Sequence, residues 1–166
     1  HCLSSAASDV YKRQDQAEGA LRASEKINKP VWIGFSVDDF DGSKLRSGEN
    51  LKDIVSILEK FTIEAVLINC SRPEVVTTAV EIVSSFNKKF GAYANAFTKI
   101  SSGFLEDAPT VDALEERKDL NPENYLKFVM EWVELGASIV GGCCEVGPEH
   151  IKLIANKLKN TGYQIV

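Results

Sequence analysis

The sequence has no surplus of positive charge. Its 19 Lys and Arg against 24 Asp and Glu leave a net charge of −5 at pH 7, without the basic footprint of a nucleic-acid binder. It has no long apolar run either: the greasiest stretches, around Ala65–Ile68 and Ala137–Val140, fall far short of the about 18–20 consecutive apolar residues that a membrane helix needs. The 5 Pro and 11 Gly are too few for a collagen-like or low-complexity chain. Four Cys in 166 residues are too sparse for a disulfide-stapled secreted fold, so the expected location is the reducing cytoplasm. What is present, 44% hydrophobic and 26% charged residues, suits one packed globular domain.

Residues 1–14 (HCLSSAASDVYKRQ) show neither helical nor strand periodicity and do not begin with Met. The basic pair Lys12–Arg13 comes last and no apolar stretch precedes it, the reverse of a secretory leader. The segment resembles translated linker, and the expectation is a non-native leader over 1–14 followed by a domain over 15–166. Setting it aside removes His1 and Cys2, and leaves His150, Cys70, Cys143 and Cys144.

From Asp15 onward helical and strand patterns alternate. A helix is predicted over Asp15–Asn28, stopped by Pro30. Strands are predicted at Val31–Val37, Ala65–Cys70, Ala92–Phe97 and Ala137–Val140, with the continuous apolar character of strands covered on both faces. Between them lie three helices: one capped by Asn50 with Leu51, Ile54, Val55 and Leu58 on its apolar face, one opened by Pro73 with a stripe of Val76, Ala79, Val80 and Val83, and one running from Pro122 to Leu135 between Asn121 and Gly136 with a stripe of Tyr125, Phe128, Val129, Trp132 and Val133. A last helix starts near Pro148 and carries Ile151, Ile154, Ala155 and Leu158. Asp38–Gly48 reads as a turn-rich loop, and the long loop from Thr98 to Leu120 contains an acidic stretch, Glu106–Asp119, placed to cover a site mouth. The fold class is therefore α/β with parallel strands, either an open doubly wound sheet or part of a (β/α)8 barrel. Four units fill this chain, whereas a barrel needs eight.

Cys70 ends its strand, and Cys143–Cys144 stand just past the end of theirs. The carboxyl ends of parallel strands are where ligands bind in both architectures. Three thiols at one rim fit a zinc site with a position left open for substrate. The adjacent pair fits a vicinal disulfide or redox couple as well, and buried thiols are often inert. The residues alone leave all three readings standing. Adjacent side chains on a regular strand point to opposite faces, so Gly141 and Gly142 are expected to let the backbone leave strand geometry and bring both sulfurs to one ion. Asn69 and Asn95, at or near strand ends, are candidates to bind substrate or orient a ligand. His150 is expected at the surface or in a capping role.

Ile68-Asn69-Cys70-Ser71 with Pro73, the Ala92–Ala96 strand with Asn95, and Gly141-Gly142-Cys143-Cys144 with Pro148-Glu149-His150-Ile151 resemble the homocysteine S-methyltransferases. The likeness runs from about Asp15 to Lys159. It implies the carboxy-terminal half of a (β/α)8 TIM barrel, strands five to eight with their helices. It implies Cys70, Cys143 and Cys144 as ligands of Zn2+, and transfer of a methyl group from an activated donor to the zinc-held thiol of homocysteine, giving methionine. The family's preceding half, with a Phe-Glu-Thr-like motif that holds the substrate, has no counterpart in this sequence. The expected partners are therefore homocysteine, a methyl donor, and either the missing half barrel or a second copy at the exposed sheet edge, with no nucleic acid or membrane. The chain is expected to be inactive alone. Glu145, where relatives carry glycine or a basic residue, departs from the pattern. The competing function is a non-catalytic α/β half-barrel module with structural or redox cysteines.

Overall fold

Alternating apolar segments and proline-led helices build a chain of βα units in the computed structural model, which describes residues 13–26, 29–98 and 115–166. Helix α1 (Gln14–Ser24) leads into strand β1 (Trp32–Phe35), a 3₁₀ turn (Leu51–Ile54) and the short α2 (Val55–Leu58). Then follow β2 (Ala65–Asn69), α3 (Pro73–Ser84), β3 (Lys89–Tyr93), α4 (Pro122–Glu134), β4 (Ile139–Val140) and α5 (Pro148–Asn160).

The strands pair in parallel, in the order β1-β2-β3-β4. Gly34 lies opposite Leu67, and Leu67 opposite Gly91. An order that never reverses makes every crossover step the same way, and right-handed crossovers then put the helices on one face. This is how successive barrel units are laid down; a doubly wound sheet reverses direction.

Side-chain alternation sorts the two faces. Ile33, Phe35, Val66, Ile68, Phe90 and Ala92 join the core with Val76, Val80 and Val83 of α3 and Tyr125, Val129 and Trp132 of α4. Fully burying a side chain of this size contributes about 1.5–3 kcal/mol. The other face carries Gly34, Leu67, Asn69 and Tyr93: a Cβ at Gly34 would lie 2.9 Å from Tyr93 Oη and 3.6 Å from Asn69 Cγ. Gly91 has no room for a side chain, since a Cβ there would strike the Ile139 carbonyl on β4.

Several expected boundaries move. Helix α1 ends at Ser24, and Asn28 lies outside the described residues. Strand β3 begins at Lys89, three residues earlier than predicted, because an exposed Lys89 ammonium reaches Glu64 Oε1 at 2.9 Å while Phe90 turns into the core. The strand also ends at Tyr93, short of the predicted Phe97, so Asn95 stands beyond it. β4 shortens to Ile139–Val140. Asn50 precedes its helix but makes no side-chain cap; its amide donates to Asp53 instead. On α5, Ile154 and Leu158 are buried, whereas Ile151 is 41% exposed. Asn121 caps α4 by accepting from the Asn124 N–H at 2.9 Å, and Gly136 ends that helix at φ +100°. Among the described residues no helix is long and apolar enough to cross a membrane.

Candidate metal centre

Cys70 follows the last residue of β2 and sits in the left-handed region at φ +44°. A non-glycine residue there costs about 1–3 kcal/mol and persists only where its surroundings enforce it. Polar groups buried on either side do so. Ser36 Oγ donates toward Asn69, its Oδ1 at 3.0 Å; Ser71 Oγ accepts from the Val37 N–H at 3.0 Å. The Cys70 N–H donates to the Tyr93 carbonyl at 3.1 Å, and the Asn95 N–H to the Ser71 carbonyl at 3.0 Å. The chain thus turns off the strand at Cys70 and lifts its sulfur to the rim.

The Gly-Gly-Cys-Cys segment reaches the same rim by a route other than the one its sequence suggests. The Gly141 and Cys143 N–H groups donate to the carbonyls of Ala92 and Ala94, at 3.1 and 2.9 Å, so the segment extends the β4 ladder instead of leaving it at the glycines. The reversal comes later, where Val146 N–H donates to the Cys143 carbonyl at 3.1 Å and Glu145 takes φ +61°. That tight turn through Cys144 and Glu145 is what brings the second sulfur round beside the first. Gly142 serves close approach: a Cβ there would run into the Val146 side chain.

The Sγ atoms of Cys70, Cys143 and Cys144 all lie within 4.8 Å of one another, and those of Cys143 and Cys144 are 3.7 Å apart. All three cysteines are free and partly buried. Zn–S bonds of about 2.3 Å in a tetrahedral site put sulfurs about 3.8 Å apart, so the donor set fits a soft divalent ion with only a slight contraction. The thiols share charge unequally. Hydrogen bonding from Cys143, with help from Asn95, Cys144 and the Arg46 charge, holds the Cys70 thiol down to about 6 against the opposing effect of burial. Bonding its proton to Cys70, together with burial, pushes Cys143 up; burial and then the Cys70 charge push Cys144 up. The cluster therefore carries its first negative charge on Cys70, and a divalent cation, if held there, would offset the cost of the others.

Of the two asparagines, Asn95 is fully buried, with Nδ2 3.8 Å from Cys70 Sγ and Oδ1 accepting from the Phe97 N–H at 3.1 Å. Asn69, also fully buried, is tied to Ser36 on the face opposite the helices. His150 is neither capping nor simply at the surface: Nε2 lies 3.0 Å from the Leu120 carbonyl, the ring stands edge-on to Tyr125 at 5.8 Å, and it is not among the clustered ligands. Cys2 and most of the acidic stretch, through residue 114, lie outside the described residues. Residues 115–117 run beside the site, for Arg117 N–H donates to the Ala96 carbonyl and Ala96 N–H to that of Cys144. Two groups escaped the sequence reading. Tyr125 of α4 brings its hydroxyl to the carbonyls of Gly141 and Ala94, at 2.9 and 3.2 Å. Arg46, in a stretch that reads as plain turn, is buried against Asp39 and the Cys70 carbonyl. The sequence puts Tyr125 on the apolar stripe of its helix, and it is buried there, but nothing in the sequence marks either residue as reaching the backbone beside the thiols.

The family model described as homocysteine S-methyltransferase matches residues 7–158. Homocysteine S-methyltransferase 1 of Arabidopsis thaliana is 31% identical over 150 residues, which cover 89% of this chain and 43% of that protein. Selenocysteine methyltransferase of Astragalus bisulcatus is 29% identical over 147 residues, covering 85% of this chain and 40% of the relative. Among solved structures, the apo form of the homocysteine methyltransferase MmuM from Escherichia coli superposes with a TM-score of 0.64 at 19% identity, over 88% of this chain and 46% of that one. Its metallated form gives 0.57 at 22%, over 87% and 40%. The chain spans less than half the length of these relatives.

Proposed function

The chain belongs to the homocysteine S-methyltransferase family, and on that premise we propose that it is the metal-bearing part of an enzyme that methylates the thiol of homocysteine to give methionine, with Cys70, Cys143 and Cys144 holding one zinc ion. The observation that carries this reading is the convergence of three sulfurs from two strand ends within 4.8 Å. A bound zinc ion would leave one position open and favour the thiolate form of an incoming thiol at neutral pH.

The chain's own residues set the stage for that chemistry. Cys70 brings a thiol already inclined to ionise. Asn95, held by its bond to the Phe97 N–H, directs an amide N–H at the Cys70 sulfur and would steady that sulfur as a ligand. In the transfer, homocysteine gives up its thiol proton, its sulfur forms the new bond to the methyl carbon, and the donor leaves with the electron pair of the bond that breaks. The protein's part is alignment of the two reactants. Asn69, on the face away from the helices, is assigned to the substrate side with Asn95.

We place the chain as strands five to eight of a (β/α)8 barrel. The sequential strand order supports this, as do the exposed Trp32 on the first strand (45%) and Ile151 on the last helix (41%), which mark the two ends of the layer. The missing half barrel is the proposed partner at those ends, and the proposed compartment is the cytoplasm, where three free thiols survive. Metal analysis of protein purified under reducing conditions tests the reading. About one zinc per chain, lost on replacing Cys70 or Cys143 by Ser, is expected, with no methionine formed by this chain alone. Absence of zinc would overturn it in favour of a non-catalytic module.

A further inference from the structure

The metal-centre reading leaves unexplained a buried cation beside it. Arg46 lies on the loop between β1 and the 3₁₀ turn, its side chain only 9% exposed. Its Nη2 stands 3.0 Å from Asp39 Oδ1, itself 6% exposed, and 3.0 Å from the Cys70 carbonyl oxygen. Its backbone N–H donates to the Ser36 carbonyl at 3.3 Å, fixing the stem to the end of β1.

Stability does not require such an arrangement, since a buried ion pair is often no better than apolar residues of the same volume. The acceptor is the informative part. Cys70 is in the left-handed conformation, and its carbonyl must find a donor away from the regular ladder. A guanidinium supplies a charge-assisted bond there, one residue's length from a sulfur that must be anionic to bind metal. Three thiolates around a divalent ion carry a net charge of −1 in a partly buried site, and a nearby cation lowers the cost of assembling them.

Resting on the proposed metal site, we propose that Arg46 is a positioning residue for it. Arg46 holds the Cys70 turn so that its sulfur meets those of Cys143 and Cys144, and supplies positive charge to the assembled thiolates, while Asp39 anchors the guanidinium in place. Chemistry at the methyl group does not involve Arg46.

The test is titration of this chain with cobalt(II), followed by zinc competition, for wild type, Arg46→Met and Arg46→Lys. Wild type should show the intense thiolate-to-cobalt absorption of a three-sulfur site; its absence defeats the metal site itself before any variant is compared. Arg46→Met should keep the metal-free far-ultraviolet spectrum of wild type, bind zinc at least tenfold more weakly and show an altered cobalt band, and Arg46→Lys should recover most of the affinity. Wild-type affinity and spectrum in Arg46→Met would overturn the proposal. If Arg46→Met does not fold, Arg46→Gln, which can still donate but carries no charge, is read the same way. Failure of both to fold in the presence of zinc would assign Arg46 to stability alone and overturn it too.

Discussion

The Tyr125 hydroxyl, carried by α4, lies 2.9 Å from the carbonyl oxygen of Gly141, the first residue after β4. A helix on the outer layer thereby grips the segment that delivers two of the three sulfurs. Burial pushes the Tyr125 phenol above its ordinary ionisation range, so the hydroxyl keeps its proton and remains a donor at any physiological pH. Tyr125→Phe should cost about 1–2 kcal/mol in denaturant unfolding through the lost bond and loosen the cysteine turn enough to weaken zinc binding severalfold. Unchanged zinc affinity in a folded Tyr125→Phe would show that the grip does not reach the sulfurs.

Asn95 makes two bonds that substitutions can separate. Asn95→Ala loses both the contact to Cys70 Sγ and the acceptor for Phe97 N–H, so stability and metal affinity should both fall, the latter by about 10–100-fold. Asn95→Asp keeps the acceptor and puts a negative charge where the sulfur had a donor. A fully buried carboxylate costs more than the amide it replaces, so this variant should melt below wild type and bind zinc more poorly than the alanine variant, which melting curves and chelator competition will read.

Crowding at Gly142 yields a compensating pair. Gly142→Ala drives a methyl group into Val146 and should destabilise by about 1–3 kcal/mol as overpacking does. Adding Val146→Ala should recover most of that loss, a coupling readable from a double-mutant cycle. Simple additivity would mean that the turn relaxes by another route.

Metal removal should be visible in stability as well as in composition. An ion present at about 100 times its dissociation constant stabilises the folded state by about 2.7 kcal/mol, which for a domain of this size is roughly 5–10 °C in melting temperature. Chelation should lower the wild-type transition by that amount. Cys70→Ser should melt at one temperature with or without zinc, and a Cys70→Ser protein that still responded to zinc would place the ion elsewhere.

Much of the frame was legible in sequence because periodicity and caps express local physics. Val76, Ala79, Val80 and Val83 read as one face of α3 and are all buried; Asn121, Pro122 and Gly136 mark the ends of α4 where they stand. β3 was displaced because Lys89 looks like a loop residue and becomes a strand residue only when Glu64, just ahead of the neighbouring strand, is there to meet it. The three cysteines were legible by their place at strand ends. Their mode of convergence was not. It depends on positive φ at Cys70 and Glu145, positions where sequence offers no glycine to signal it, and on Arg46 and Tyr125, whose partners are backbone carbonyls distant in the chain. Hydrogen bonds to carbonyls leave no pattern in the residues that accept them.

The thiol cluster joins residue 70 to residues 143 and 144 across two helices and two strands, α3 to β4. An ion held by those sulfurs acts as a cross-link as well as a reagent: tying off a loop of roughly 70 residues withholds about 4 kcal/mol of configurational freedom from the unfolded chain on the usual loop-closure reckoning. The same three atoms that define the chemistry would then also fasten the second strand of the sheet to its fourth, so that the centre and the scaffold around it are lost or kept together.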